Sequence, residues 1–300
     1  MTKGAELDIG LVVAGYGRHY EVETPEGRRL ICHPRGKKSD CVVGDRVRWM
    51  PTGDAEGVIE HIEPRRNLFF RQDEWKTKSF AANIDQLLVL VAADPVFGES
   101  QLARALIAAE SAGIDAHILL NKADLPQFPA ARARLVPYAA MGVDVIEAAL
   151  KAKPDAARES LGARLAGKST LVLGPSGTGK STLINLLAPG AQAQVGEVSR
   201  ALNSGRHTTT TTQWYWLDAA HTTALIDSPG FQEFGLRQLE AAELAGCMPD
   251  LRAYSQACKF YNCSHRHEPG CGVLAALEKG EINASRHRIY CELWDELSRT

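Results

Sequence analysis

STLVLGPSGTGKSTLINLLA, residues 169–188, holds the segment GPSGTGKS at 174–181, which has the form G-x-x-x-x-G-K-[ST]. The run before it is apolar and ends in glycine. The run after it is apolar at helical spacing. Strand, glycine-rich turn and helix in that order are the context in which this motif cradles phosphates. Gly174, Gly177 and Gly179 let backbone N–H groups curl around an anion, and the helix N-terminus adds partial positive charge. In this role Lys180 reaches the β- and γ-phosphates and Ser181 ligates Mg²⁺. Pro175, Ser176, Thr178 and Thr182 complete the nucleotide-contacting set.

Downstream, TALIDSPG at 223–230 ends an apolar strand in D-x-x-G. Asp227 is placed to hold Mg²⁺ through water, and the Gly230 N–H to face the γ-phosphate. Between the two motifs lies GRHTTTTTQ, 205–213. A threonine there can bind Mg²⁺ and the γ-phosphate, in a segment ordered by the triphosphate. Thr208 and Thr209 are the candidates, and the threonine run leaves the register open. The other reading is a threonine-rich edge before the strand QWYWL.

Upstream, HILLNKADL at 117–125 ends another apolar run in N-K-x-D. Asp124 can accept hydrogen bonds from the N1–H and N2–H₂ donors of guanine, and adenine offers neither. Asn121, Lys122 and Ala123 complete that loop. An unpaired buried charge costs several kcal/mol, so the selectivity is strong. The order is unusual, because the base-selecting half, 86–150, precedes the phosphate half, 166–230. Termini of a closed α/β domain often lie close together, so the chain can be cut elsewhere and rejoined without moving the site. The sequence therefore predicts a circularly permuted GTPase domain.

From about 80 to 235, QLLVLVAAD, AHILLNKAD, VDVIEAA, STLVLGPSG and TALIDSPG alternate with helical stretches such as ESQLARALIAAESAG and FPAARARLVPYAAMG. This predicts a mostly parallel sheet covered on both faces, with ligands at the C-terminal strand ends. Residues 1–70 carry the short runs LVVAG, YEVET, RRLICH, CVVGDRVRW and GVIEHIE, which predict a small OB-like or SH3-like barrel. Arg28, Arg29, Arg35, Lys37, Lys38, Arg46 and Arg48, then Arg65, Arg66 and Arg71, suit either a solvated face or contacts along a nucleic-acid backbone.

The last segment is helical around CKFYNCSHRHEPGC, 258–271, with a final helix from Ser285 whose stripe is Ile289, Leu293 and Leu297. Cys258, Cys263, His265 and Cys271 offer three thiolates and an imidazole, a set that fits tetrahedral Zn²⁺. His267 is a rival fourth ligand. Lys259, Arg266, Lys279, Arg286, His287 and Arg288 are basic groups that this module can turn toward RNA. Cys32, Cys41, Cys247 and Cys291 do not cluster and read as structural.

A net charge of −2 excludes a globally basic nucleic-acid binder but not local basic patches. LLVLVAA at 87–93 falls far short of the ~20 apolar residues of a membrane span. The N-terminal stretch MTKGAELDIGLVVAG does not read as an export signal. The expected compartment is the reducing cytoplasm, where cysteines are thiols or metal ligands.

Barrel, permuted GTPase and cysteine–histidine module in this order resemble the ribosome small-subunit-dependent GTPase A family of bacteria. The resemblance rests on GDRV (44–47), AANIDQLLVLVAADP (81–95), NKAD, GPSGTGKST, GRHTTT, DSPGFQEFGL (227–236) and the cysteine–histidine loop. It implies an OB-fold RNA-binding domain at 1–72, a permuted GTPase domain at 73–235 and a helical zinc-binding domain at 236–300. It also implies a cytoplasmic GTPase that acts in late maturation of the 30S subunit, contacts 16S rRNA and is stimulated by the particle. GTP is then used with Mg²⁺. One structural Zn²⁺ sits on Cys258, Cys263, His265 and Cys271, which demotes His267. A monomer is the default expectation. Two positions depart from common GTPase patterns. Glu147 stands where the guanine-supporting motif, near 145–149, would have serine. Phe231 replaces the water-orienting glutamine, so His207 is a candidate substitute, with an exposed or RNA-stacked imidazole as the other reading. An ATP-dependent kinase and a non-catalytic RNA-binding module are the competing classes. The first leaves NKAD and both appended domains without a role.

Overall fold

The computed structural model describes residues 7–36, 40–73, 76–189, 211–228, 236 and 238–299. Strands β1 (Asp8–Tyr16), β2 (His19–Glu23), β3 (Arg29–Pro34), β4 (Arg46–Pro51) and β5 (Glu56–Ile62) pair in the order β1-β2-β3-β5-β4. A second pairing, β1 with β4, closes them into a barrel, and β3 runs parallel to β5. Closure removes the open edges that invite aggregation. Alternate residues of β4 and β5 point inward, so Val47, Trp49 and Ile59 join Val12, Val22 and Leu30 in the barrel core. The run CVVGDRVRW is not one strand. Gly44 has φ +91, and the fully buried Asp45 accepts the Val42 N–H at 2.8 Å, so 41–45 turn before β4 begins. A hairpin, β6 (Leu68–Asp73) with β7 (Lys76–Ala82), then leads the chain out of the barrel.

The nucleotide domain is built on β8 (Gln86–Ala92), β9 (Asp115–Asn121), β10 (Asp144–Glu147), β11 (Ser169–Leu173), β12 (Gln213–Trp216) and β13 (Ala224–Asp227). Their order in the sheet is β10-β9-β8-β11-β13-β12, all parallel except β12. β8 and β11 are buried along their whole length, as central strands covered on both faces must be. The period of two divides each strand between two cores. Val89, Val91, Leu171 and Leu173 meet helices α1 (Glu99–Ser111) and α2 (Phe128–Ala140). Leu88, Leu90 and Val172 meet α3 (Pro154–Leu165) and α4 (Lys180–Leu187). β11 sits at the middle of the sheet although it follows β8, β9 and β10 in the chain. α3 makes the covalent link from β10 to β11, which is the physical form of the permutation. The barrel joins the same sheet, because β1 pairs antiparallel with β12 at Ala14 and Gln213.

The C-terminal segment holds a 3-10 helix (Ala241–Cys247), α5 (Pro249–Ser255), α6 (Gly272–Glu278) and α7 (Ala284–Leu297). The Asn283 side chain caps α7, and Ile289, Leu293 and Leu297 are buried as the stripe predicts, with Tyr290 beside them. Arg286 departs from the expectation that it faces RNA. It is 2% exposed, pairs twice with Asp250 at 2.9 and 3.1 Å, and lies 5.1 Å over the Tyr138 ring of α2. The apolar side chains of α7 share one core with those of α1 and α2.

Candidate functional site

The sheet brings three chain segments to one edge: NKAD after β9, GPSGTGKST after β11, and Asp227 with Ser228 at the end of β13. Gly179 has φ +110, and a Cβ there would meet Asn121 Nδ2 at 2.4 Å. Glycine is therefore required by conformation and by space alike. Thr178 is buried, and its hydroxyl donates to the Pro175 carbonyl at 2.9 Å. Ser176, Gly177 and Ser181 face outward at the mouth of the loop. The Lys180 ammonium donates to the carbonyls of Gly174 and Pro175. Burial lowers the Lys180 pKa, and the charge of Asp227 opposes that. Burial likewise pushes the Asp227 carboxyl up to about 6, against the pull of Lys180 and of the Ser228 N–H. An ammonium and a carboxylate held together at the ends of adjacent strands suit a Mg²⁺–phosphate ligand. The Ser228 hydroxyl donates to the Val172 carbonyl at 2.7 Å and fixes the start of the DSPG loop to β11.

Asn121 does more than brace its own loop. Its Nδ2 donates to the Thr178 carbonyl at 2.8 Å, and its Oδ1 accepts the Leu150 N–H at 3.0 Å. One side chain, 4% exposed, thus joins the glycine-rich loop, the NKAD loop and the segment after β10. Lys122 has φ +64 and donates to the Asp94 carbonyl. The Ala123 N–H donates to the Ala148 carbonyl at 3.0 Å, while Asp124 is exposed. Glu147, at the position expected for serine, turns away to pair with Arg132 of α2 at 2.6 Å. Ala148–Leu150 meets NKAD instead. Leu150, Asp94 and Ala148 contribute through their backbones, which carry no residue-type signal, so only the pairing of β9 with β8 and β10 reveals them. His207, Thr208, Thr209, Gly230 and Phe231 lie outside the described residues.

The ligand atoms of Cys258, Cys263, His265 and Cys271 all lie within 4.8 Å of one another, so this group could hold a metal ion. His265 presents Nδ1, at 3.4 Å from Cys258 Sγ and 3.5 Å from Cys271 Sγ. Gly272 N–H donates to Cys258 Sγ and Leu274 N–H to Cys271 Sγ, an arrangement that favours thiolates. Partial burial, with neighbouring sulfurs, pushes Cys263 up to about 12, so a thiolate there calls for a cation. His267 is exposed and outside this group. Supporting contacts fix the loop: His287 Nε2 donates to the His265 carbonyl at 2.8 Å and Tyr290 to that of Ser264 at 2.9 Å. Glu268 accepts from the Ser264, Arg266 and His267 N–H groups and the Ser264 hydroxyl. Partial burial opposes its ionisation, yet these bonds hold it well below the usual carboxylate range.

Much of the barrel's arginine set is committed internally. Arg29 pairs with Glu21 and Glu23, Arg35 with Glu60, Arg48 with Glu63, Arg65 with Asp45 and Arg66 with Asp85. Arg28 and Arg46 are exposed and have no ion pair among the described residues. Lys37 and Lys38 lie outside them. At the joint with the sheet, Glu23 accepts Trp216 Nε1–H at 2.6 Å, and Trp216 stacks on His221 at 4.7 Å.

The family model for RsgA GTPase matches residues 62–237. The chain belongs to the RsgA GTPase family. A Variovorax paradoxus protein named small ribosomal subunit biogenesis GTPase RsgA is 60% identical, over 100% of this chain and 95% of its own length. A Burkholderia pseudomallei protein of the same name is 51% identical, over 99% and 95%. Among solved structures, YjeQ from Thermotoga maritima has a TM-score of 0.74 at 29% identity, covering 97% of this chain and 98% of its own. YloQ, described as a circularly permuted GTPase, has a TM-score of 0.71 at 25% identity, covering 100% and 98%. The permuted GTPase fold and GTP hydrolysis follow from this membership. Among the described residues, no helix is long and apolar enough to cross a membrane.

Proposed function

We propose that this GTPase acts in late maturation of the 30S ribosomal subunit, binding 16S rRNA, with hydrolysis stimulated by the particle and timing release from it. The observation that supports this best is similarity along the whole chain, barrel and cysteine–histidine module included, to proteins named for small-subunit biogenesis. In this reading the chain divides at 1–72, 73–235 and 236–300, works in the cytoplasm and is a monomer. Asp124 reads guanine, while residues 174–182 hold the phosphates. Lys180, Ser181 and Asp227, with Thr208, Thr209 and Gly230 as further candidates, serve the γ-phosphate and Mg²⁺, and His207 is a candidate for positioning water. Cys258, Cys263, His265 and Cys271 hold one structural Zn²⁺.

Phenylalanine at 231 has no polar atom to orient water, so intrinsic turnover is slow and a group ordered or supplied by the particle raises it by orders of magnitude. The test is GTP and ATP turnover with and without purified 30S subunits. Slow GTP turnover that 30S subunits accelerate strongly, with ATP inert, is the expected result. Fast turnover indifferent to 30S subunits would overturn the coupling.

A further inference from the structure

Among the described residues, the large apolar side chains that stand exposed are Ile9, Val96, Val136, Phe260 and Tyr261. The last two are aromatic and consecutive, at the tip of the loop bracketed by Cys258 and Cys263. Tyr261 is exposed over its full area (103%), and Phe260 is 42% exposed. Isolated apolar residues on a surface need no explanation, but adjacent rings at the tip of a braced loop do.

The tip is held in place from both ends. Cys258 and Cys263 belong to the metal-ligating group, the Lys259 N–H donates to the Gly270 carbonyl at 2.9 Å, and the Cys258 N–H to that of Ser255 at 3.3 Å. Ordering on binding therefore costs little here. A cation stands beside the rings. Lys259 Nζ lies 5.5 Å from the Phe260 ring centre and has no ion pair among the described residues. Glu268, the acid in residues 258–271, spends its oxygens on N–H and O–H groups of its own loop. Asn262, next to Tyr261, is exposed as well. A protein-binding hot spot would sit within an apolar surround, whereas bare rings beside a cation suit a base and its phosphate.

We propose that Lys259, Phe260 and Tyr261 form a stacking platform for unpaired bases of RNA, with Tyr261 offering its ring face and Lys259 meeting the adjoining phosphate. This rests on the ribosomal-RNA reading proposed above and adds to it the residues and the unpaired state of the RNA. Stacking needs a π face and not a hydroxyl, so phenylalanine at 261 serves as well as tyrosine. Leucine, similar in apolar character, does not.

The test titrates the full-length protein and its Tyr261→Ala, Tyr261→Phe and Tyr261→Leu variants against labelled oligoadenylate and against purified 30S subunits. Metal content and unfolding temperature check that each variant is folded. The expected result is a loss of affinity for both probes of roughly five- to a hundred-fold in Tyr261→Ala and Tyr261→Leu, with Tyr261→Phe near wild type. Wild-type affinity in Tyr261→Ala overturns the platform. So does recovery of 30S affinity in Tyr261→Leu, or loss on 30S subunits with oligoadenylate binding intact, because either marks a protein contact. A wild-type protein that fails to bind 30S subunits, yet binds oligoadenylate through Tyr261, overturns the maturation reading and leaves the platform standing.

Discussion

At the scale of single residues, Asn121 and Asp124 share one motif and do different work. Asp124 is exposed and free to meet a base, whereas Asn121 is 4% exposed and spends both polar atoms on backbone groups of two other loops. Asn121→Ala leaves the Thr178 carbonyl and the Leu150 N–H buried without that partner. The expected cost is about 2 kcal/mol of stability, together with weaker GTP binding as the phosphate loop loses its tie. Asp124→Ala is expected to leave stability unchanged while losing the preference for GTP over ATP. Denaturation midpoints and nucleotide titrations of the two variants check this. Equal stability for both would mean that the Asn121 bridge contributes nothing.

At the scale of elements, the loop 258–271 and the helix that follows it depend on different forces. The loop buries few large apolar groups and is held by its metal-ligating side chains, the Glu268 bonds and Tyr290. α7 instead packs Ile289, Tyr290, Leu293 and Leu297 into the core that contains Leu102 and Ile107 of α1. Metal binding to such a loop is largely folding free energy of the loop itself. Chelation should therefore raise hydrogen exchange and protease cleavage across 256–272, while α7 and the GTPase sheet keep their protection and GTP still binds. Elemental analysis should find one zinc per chain, and none in Cys263→Ala. A zinc-free protein whose loop exchanges as slowly as before would refute this division.

At the scale of the whole molecule, both appendages are built onto the nucleotide domain. The barrel continues its sheet through β1 and β12, and β12 precedes the Asp227 strand in a direct antiparallel pair. The C-terminal helices sit on α1 and α2, beside the NKAD half of the sheet, through Arg286 and through the ion pair of Arg104 with Glu296. Arg286 and Asp250 have side chains only 3% and 11% exposed. Removing one member of such a pair strands the other's charge, so Arg286→Ala is expected to cost about 3–5 kcal/mol. Arg286→Met with Asp250→Leu should recover much of it, because the pair's mutual attraction barely exceeds its desolvation. Thermal unfolding of the two variants decides, and a near-neutral Arg286→Ala would show that the pair is not buried in solution.

The sequence by itself determined the motifs. The phosphate loop, NKAD, the D-x-x-G aspartate and the cysteine–histidine set are each written within a few consecutive residues, where chain geometry alone brings the groups together. The parallel sheet and the permutation were legible too, because buried strands have continuous apolar runs and the motifs mark their ends. Tertiary structure alone decided that Asn121 joins three loops, that Glu147 turns to Arg132, and that Arg286 is buried rather than turned to RNA. It also decided that barrel arginines such as Arg29 and Arg65 are tied up by acids elsewhere in the barrel. Each of these rests on a partner that only the fold brings into reach, and a charged residue looks the same in sequence whether its partner is water or a carboxylate folded against it. The hairpin at 68–82 and the break of CVVGDRVRW at Gly44 were hidden for a related reason. A β-rich run fits a strand or a turn equally well until its hydrogen-bond partner, here Ala82 on Val43 and Asp45 on Val42, is in place.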